Sequence, residues 1–119
     1  MPPFSMKEII LEGDAAIKDL FQYVEKNAEN FDAYRMEEAV RKRLNEIGLV
    51  MMRFYFAAKG TGDVGDTLTL EDGSVLKKEN RLRQRILFST FGKLSIPRTC
   101  YRTEGLAGIM PLDARANLP

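Results

Sequence analysis

Basic side chains concentrated in one stretch are the residues of this chain best suited to chemistry. Residues 77–102 contain eight lysines and arginines and one acidic residue, Glu79, which gives a net charge of +7. Basic side chains on a twisted β-hairpin can follow a phosphate backbone, and each phosphate that they neutralise releases a condensed counterion. The pattern therefore predicts a contact with double-stranded DNA. The predicted nucleic-acid-binding residues are Lys77, Lys78, Arg81, Arg83, Arg85, Lys93, Arg98 and Arg102.

The basic stretch contrasts with an acidic remainder. Residues 1–76 carry nine basic and 14 acidic side chains, and residues 103–119 carry one basic and two acidic side chains. The whole chain, with 18 basic and 17 acidic residues, therefore has a formal charge of only +1. Such an asymmetry favours a polyanion as the partner of the basic stretch. It is equally consistent with docking of that stretch onto acidic helices of the same chain, and the sequence leaves both interpretations open.

The residue types that most catalytic sites need are missing. The chain has no histidine, which excludes histidine-activated nucleophiles and histidine-ligated metal sites. Its single cysteine, Cys100, excludes an internal disulfide and is expected to be a small core residue. A literal G-x-G-x-x-G at residues 60–65 follows a helix and precedes a strand, the reverse of the order in dinucleotide-binding folds. We therefore expect no cofactor, no metal ion and no enzyme activity of the chain alone.

The sequence also predicts a cytoplasmic protein without a membrane partner. No apolar run approaches the roughly 20 residues that span a bilayer. The N-terminal segment MPPFSMKEII is too short and too charged to be a secretory signal peptide.

Two helices are predicted in the N-terminal half. Residues 5–28 begin with the capping-box pattern Ser-x-x-Glu and continue with apolar residues at helical spacing, although Gly13 and Asp14 could divide this helix in two. A second helix is predicted from about residue 33 to residue 58, with Asp32 as its N-cap. We expect the two helices to pack antiparallel.

The second half of the second helix, residues 49–58, is apolar on nearly every side. A helix of this kind is buried all round in a folded protein. Either a partner covers it, such as a second copy of the chain or a further domain, or the β part of the chain does, and the sequence leaves both open. The predicted interface residues are Val50, Met51, Met52, Phe54, Tyr55 and Phe56.

The C-terminal half is predicted to form β structure. Asp72-Gly73 between two short strands predicts a hairpin over residues 68–77 with a type I′ turn. A strand over residues 83–90, a turn at Phe91-Gly92 and a return strand over residues 93–101 predict a second hairpin. In the return strand, the alternation places Leu94, Ile96 and Cys100 on one face and Lys93, Ser95, Thr99 and Tyr101 on the other.

These elements predict an α+β fold with two N-terminal antiparallel helices followed by a small antiparallel β-hairpin sheet. Three parts are expected along the chain. They are a helical hairpin over residues 1–58, a glycine-rich linker over residues 59–66, and a β-hairpin region with an extended tail over residues 67–119.

Two segments near the C-terminus resemble a known protein family. They are FGKLSIPRTCYR, residues 91–102, and PLDARANLP, residues 111–119. Both are similar to the N-terminal region of bacterial insertion-sequence transposases of the ISKra type, where a hairpin of the pattern F-G-x-[VLI]-x-[VI]-x-R-x-x-Y precedes a PLD-x-x-L-x-LP segment. The matching residues are Phe91, Gly92, Leu94, Ile96, Arg98, Tyr101, Pro111, Leu112, Asp113, Leu118 and Pro119.

The resemblance implies a DDE-type transposase, which cuts and joins DNA strands with two metal ions held by three acidic residues. Those acidic residues would lie downstream of the second segment, so we expect one domain that stops before the catalytic domain and contains no catalytic residue. The implied partners are double-stranded DNA, a second copy of the chain and the downstream transposase domain, at the nucleoid. Some relatives have a Cys-x-x-Cys after the tyrosine, which this chain lacks.

A second hypothesis places the chain in another class of protein. The chain would be a helical protein–protein interaction module that dimerises through residues 49–58 and has no nucleic-acid role. Its basic hairpin would then pack against its own acidic helices.

Overall fold

A computed structural model describes residues 5–105 and 107–118 of the chain. Two long helices precede small antiparallel sheets, so the predicted α+β fold is confirmed. The elements are α1 (Met6–Asn27), α2 (Ala33–Lys59), β1 (Thr67–Thr69), β2 (Val75–Lys78), β3 (Arg83–Ser89), β4 (Gly92–Arg98), β5 (Tyr101–Arg102) and α3 (Pro111–Arg115).

The described residues form two units. The helical unit contains the chain up to Ala58 together with Phe88–Leu94, the tip of the second hairpin. The sheet unit contains Lys59–Leu87 and the residues from Ser95 onward. The chain thus changes unit after Ala58, the hairpin tip belongs to the helical unit, and residues 59–66 belong to the sheet unit.

Helix α1 begins at the predicted cap. The Ser5 hydroxyl accepts a hydrogen bond from the Glu8 backbone N–H at 3.3 Å, which satisfies one of the free donors of the first turn. The helix continues through Gly13 and Asp14, which confirms a single helix and excludes the alternative of two pieces. Gly13 is buried, and a Cβ at this position would lie 3.4 Å from Val50 Cγ1. Gly13 therefore lies at the contact between the two helices and does not end α1.

Helices α1 and α2 are antiparallel, as predicted. Near the start of α1, Glu12 accepts a hydrogen bond from Arg53 Nη1 at 3.1 Å, close to the end of α2. Near the other end, the Arg43 guanidinium lies 3.6 Å from the centre of the Tyr23 ring. The N-cap of α2 is also confirmed, because Asp32 Oδ1 accepts from the Arg35 backbone N–H at 2.8 Å.

Within the helical unit, the hairpin tip covers part of the apolar half of α2. The Phe91 ring occupies the space that a Cβ at Gly48 would need, and its Cε1 would lie 2.7 Å from that atom. Gly92, at a φ of 132°, lies against Leu49. Glycines at positions 48 and 92 therefore let the tip and the helix approach closely.

The first hairpin forms with a different turn from the predicted one. Strands β1 and β2 are antiparallel, with Leu68 opposite Leu76. A type I′ turn needs positive φ at both central residues. Gly73 has a φ of 89°, whereas Asn117 is the only non-glycine residue with positive φ in the described part of the chain. Asp72 therefore does not adopt the type I′ conformation, and the longer loop closes with a hydrogen bond from Leu70 N–H to the Ser74 carbonyl at 2.8 Å.

The return strand of the second hairpin is shorter than predicted. Strand β4 ends at Arg98, and the chain then turns so that β5 pairs with β2 to complete the order β1-β2-β5. Leu94, Ile96 and Cys100 are buried as predicted. Thr99 and Tyr101, predicted for the opposite face, are buried too, because the period-two alternation stops where the strand stops. The nearly inaccessible side chains of the sheet unit are Leu76, Ile96, Cys100, Tyr101 and Leu112.

The glycine-rich residues 59–66 are fixed to the sheet unit by hydrogen bonds. Thr99 N–H donates to the Thr61 carbonyl at 2.8 Å, and the two threonine hydroxyls are 2.7 Å apart. Gly62 has a φ of 84°, and a Cβ there would lie 2.7 Å from the Leu112 backbone nitrogen. The tail predicted to be extended contains the short helix α3, whose Leu112 is fully buried.

Candidate functional site

Two of the predicted DNA-binding arginines are directed at the C-terminal tail. Arg98 Nη1 donates to both carboxylate oxygens of Asp113, at 2.9 and 2.7 Å, and the Arg98 side chain is only 12% exposed. Arg85 Nη1 lies 3.7 Å from the same carboxylate. These contacts attach α3 to the sheet unit, so Arg85 and Arg98 have a structural role in this fold.

Lys78 forms ion pairs with two carboxylates of the glycine-rich segment. Its Nζ donates to Asp63 Oδ2 at 3.0 Å and lies 3.9 Å from Asp66 Oδ1. The pKa of Asp63 is lowered, first by the hydrogen bond from the Gly65 backbone N–H and then by that from Lys78. The pKa of Lys78 is raised, mainly by the same hydrogen bond to Asp63. This lysine therefore already has its anionic partner within the sheet unit.

Two other basic residues, Arg83 and Arg102, contact a single carboxylate. Arg83 Nε and Nη2 donate to the two oxygens of Glu79 at 2.9 and 2.8 Å, and Arg102 Nη1 lies 3.6 Å from Glu79 Oε1. Arg83 is the main reason that the pKa of Glu79 is lowered. Exposed Arg81 lies between these two residues in sequence. We call Lys77, Arg81, Arg83 and Arg102 the cationic cluster.

Two members of the cationic cluster face each other across the sheet. Lys77 on β2 is directly opposite Arg102 on β5. Like charges in directly opposed positions destabilise a sheet. Both side chains are exposed. Among the described residues, Lys77 forms no ion pair, and Arg102 pairs with Glu79, whose two oxygens already accept hydrogen bonds from Arg83. The cluster thus has an excess of positive charge that an external anion could neutralise.

The remaining predicted DNA-binding residue, Lys93, lies at the hairpin tip and belongs to the helical unit. It is exposed, and it forms no ion pair with another described residue. The eight predicted residues are therefore divided among four different environments.

Acid should weaken the sheet unit because of Asp63 and Glu79. The pKa of each carboxyl is lower in the folded chain than its ordinary value, so each contributes stability at pH values above that ordinary value. This stability is lost as the pH falls through the folded pKa. We expect the thermal midpoint of the sheet unit to be highest above the ordinary pKa values of the two carboxyls and to decrease as the pH falls below those values.

The contribution of Asp63 to this acid dependence can be isolated by substitution. Thermal unfolding of Asp63→Asn, followed by circular dichroism across the same pH range, should show a shallower decrease than the parent chain. Exposed Glu104 provides the control, since Glu104→Gln should leave the slope unchanged. Equal acid slopes for Asp63→Asn and the parent chain would contradict the assigned role of Asp63.

The predicted interface on α2 is only partly exposed. Val50 and Phe56 are buried within the chain, and Met52 and Phe54 are half-buried, whereas Met51 and Tyr55 are exposed. Val50, Met51 and Phe54 line a groove of about 130 Å³ between the two helices. The other lining residues are Ile9, Ile10, Gly13, Asp14 and Ile17 of α1. We call this feature the apolar groove.

A second opening of about 310 Å³ lies near the turn between α1 and α2. The Arg35 guanidinium is 4.0 Å from the centre of the Phe31 ring, and Arg43 covers Tyr23 in the same way. Lys42 and Glu38 also line the opening. Spacing alone could not predict the second pair, because Arg43 and Tyr23 lie on different helices and meet only when α1 and α2 pack together.

Within residues 5–105 and 107–118, no three histidine, cysteine, aspartate or glutamate side chains come together as a group that could hold a metal ion. Cys100 is a free thiol and is buried. None of the described helices combines the length and the hydropathy needed to cross a membrane.

Comparison of the chain with protein-family models, with curated proteins and with solved structures finds no match. The resemblance to transposases therefore stays a prediction, carried by the two sequence segments alone.

Proposed function

We propose that the sheet unit binds the phosphate backbone of double-stranded DNA through the cationic cluster. The opposed pair Lys77 and Arg102 is the observation that carries this proposal. A phosphate placed between the two side chains would reduce their repulsion, because it adds a negative charge beside Lys77 and beside Arg102, which shares Glu79 with Arg83. Binding energy would thus come both from counterion release and from relief of the like-charge contact.

The cluster is suited to a backbone contact more than to base recognition. Its four side chains are exposed. Lysine and arginine contacts to phosphates position a protein on a duplex without reading its sequence. The proposed role is therefore to hold DNA, and recognition of a target sequence would need further contacts.

The proposed biological role is the non-catalytic DNA-binding and assembly part of an insertion-sequence transposase, acting at the nucleoid in the cytoplasm. The two transposase-like segments support this role. The first includes part of the hairpin tip of the helical unit and continues through β4 into β5 of the sheet unit, and the second contains α3. The coding DNA beyond residue 119 tests it. A continuation, in frame or shifted, that encodes three spaced acidic residues is expected, and a continuation without them would contradict the transposase assignment.

The DNA-binding proposal is tested by fluorescence anisotropy with a labelled duplex at several salt concentrations. If four cations contact phosphates, the logarithm of the binding constant should fall with the logarithm of salt with a slope of about −3 to −4. Lys77→Ala should reduce the magnitude of this slope by about one. Arg115→Ala, an exposed arginine outside the cluster, is the matched control and should leave the slope unchanged. A slope near zero would rule out the proposal.

A second candidate function is protein association without a nucleic-acid role. The exposure of Met51 at the edge of the apolar groove favours it. This candidate predicts that the duplex is not retained at any salt concentration in the anisotropy experiment, even though the chain associates.

A further inference from the structure

The helical unit exposes five large apolar side chains on one side of its helix pair. Ile10, Ile17 and Phe21 are spaced seven and four residues apart on α1, and Leu44 and Met51 are seven residues apart on α2. Residues at these spacings share one face of a helix. Ile10, Ile17 and Met51 also line the apolar groove, which shows that the faces of the two helices adjoin.

The area of this face is that of a dimer interface. The five side chains are between 37% and 72% exposed. At roughly 200 Å² for a fully exposed large side chain, they present about 500 Å² of apolar surface. Interfaces are about 56–65% apolar, so this amount corresponds to about 800 Å² with its polar rim. A standard protein–protein interface buries about 800 Å² per partner.

The exposed apolar face contains both a projecting side chain, Phe21, and a depression of matching size, the apolar groove. Phe21, 72% exposed, is the most exposed of the five side chains. The apolar groove has a volume of about 130 Å³ and is lined mainly by isoleucine, valine, methionine and phenylalanine. An apolar cavity of about 150 Å³ accommodates benzene, so the groove has the right size and chemistry for a phenyl ring. Because the same surface contains both the projecting ring and the groove that fits it, the surface is complementary to a second copy of itself.

We propose that the occupant of the apolar groove is Phe21 of a second copy of this chain, in a two-fold symmetric dimer. In an isologous interface, a residue on one protomer contacts the partner's groove and the reverse contact is identical. A two-fold axis near Ile17 brings the residue four positions after Ile17 in one copy opposite the residue four positions before Ile17 in the other copy. Phe21 then meets the stretch around Gly13, which lines the groove.

The dimer unites two helical hairpins into four helices around one apolar core. A helix pair by itself leaves one side of its apolar surface in water, and the four-helix bundle is the common arrangement that buries it. The inference goes beyond the proposed DNA contact, because it concerns the helical unit and needs no DNA.

Sedimentation equilibrium of the full chain tests the dimer. We expect a concentration-dependent mass that approaches twice the chain mass of 13.5 kDa. Phe21→Glu and Met51→Glu should each weaken dimerisation by about 100-fold or more, since each removes an apolar contact and buries a charge. Leu11→Glu is the matched control, because Leu11 is an exposed apolar residue of α1 that does not line the groove. It should change the dissociation constant by less than about twofold.

Disulfide cross-linking tests the position of the axis independently. Ile17→Cys should form a disulfide-linked dimer on oxidation, since equivalent residues meet at a two-fold axis. Leu11→Cys should not, and the parent chain should not because Cys100 is buried.

A chain that stays monomeric at millimolar concentration overturns the dimer, whether or not it binds DNA. A dimer that persists in both Phe21→Glu and Met51→Glu overturns this face as the interface. Circular dichroism establishes that the variants remain helical, and if the glutamate variants do not fold, the absence of an Ile17→Cys cross-link overturns the proposal.

Discussion

Replacing Asp113 with alanine is expected to lower the free energy of unfolding of the sheet unit by about 3 kcal/mol or more. Asp113 accepts two hydrogen bonds from Arg98, whose side chain is only 12% exposed, and Arg85 lies 3.7 Å away. Removal of the carboxylate leaves the Arg98 charge in a mostly buried position without its anion. An uncompensated buried charge is far more costly than the loss of a surface ion pair.

The Asp113 prediction is measured by urea unfolding, followed through the NMR amide signals of the sheet unit. Glu104→Ala removes an exposed carboxylate from the same unit and should change the unfolding free energy by less than about 0.5 kcal/mol. The double variant Arg98→Met with Asp113→Ala should be more stable than Asp113→Ala alone, because it no longer buries the unpaired charge. If Asp113→Ala is as stable as the Glu104→Ala control, the tail is not held by this ion pair.

Tyr101→Ala is expected to destabilise the sheet unit by about 3–5 kcal/mol. The Tyr101 side chain is fully buried. Its hydroxyl donates to the Gly65 carbonyl at 2.7 Å and accepts from the Val64 N–H at 2.8 Å. Truncation therefore leaves a large cavity and also releases the segment that contains Val64 and Gly65.

The two parts of the Tyr101 effect can be separated. Tyr101→Phe keeps the ring and loses only the hydroxyl, so we expect a cost of about 1–2 kcal/mol. The amide signals of Val64 and Gly65 should show faster hydrogen exchange in this variant. Tyr34→Ala is the control, since Tyr34 is 79% exposed and its removal should be nearly neutral. Unchanged exchange at residues 64 and 65 would show that the hydroxyl does not hold this segment.

Local sequence patterns were sufficient for the helices. A capping serine, a capping aspartate and apolar residues at helical spacing act over one or two turns, so Ser5, Asp32 and the bounds of both helices could be inferred without any tertiary contact. The alternative of a break at Gly13 does not occur, and this glycine lies buried within α1 against Val50. Only the tertiary structure distinguishes these two possibilities.

The roles of the basic residues could not be predicted, because their partners are distant in sequence. Asp113 is 15 residues from Arg98, and Asp63 is 15 residues from Lys78. Composition shows a stretch with a net charge of +7, and the fold then assigns some of those cations to carboxylates from the glycine-rich segment and the tail. The burial of Tyr101 could not be predicted either, because it depends on where β4 ends, and β4 ends at Arg98.

In the apolar half of α2, the periodicity of the sequence does not determine which side chains are buried and which stay exposed. The pattern indicated that residues 49–58 need a cover, and the structure buries Val50 and Phe56 while leaving Met51 exposed. Exposed Ile10, Ile17 and Phe21 of α1 were predicted only as one apolar stripe. Their exposure depends on which side of the helix the antiparallel partner covers, and this is a property of the pair.

The most direct test of the central claim is the DNA affinity of the double variant Lys77→Ala with Arg102→Ala. We expect its affinity for a duplex to fall by about 10-fold or more at about 0.1 M salt. Its urea midpoint should be unchanged or slightly higher because the like-charge contact is gone. Arg115→Ala should match the parent chain in both measurements. A double variant that binds DNA as tightly as Arg115→Ala would contradict the account.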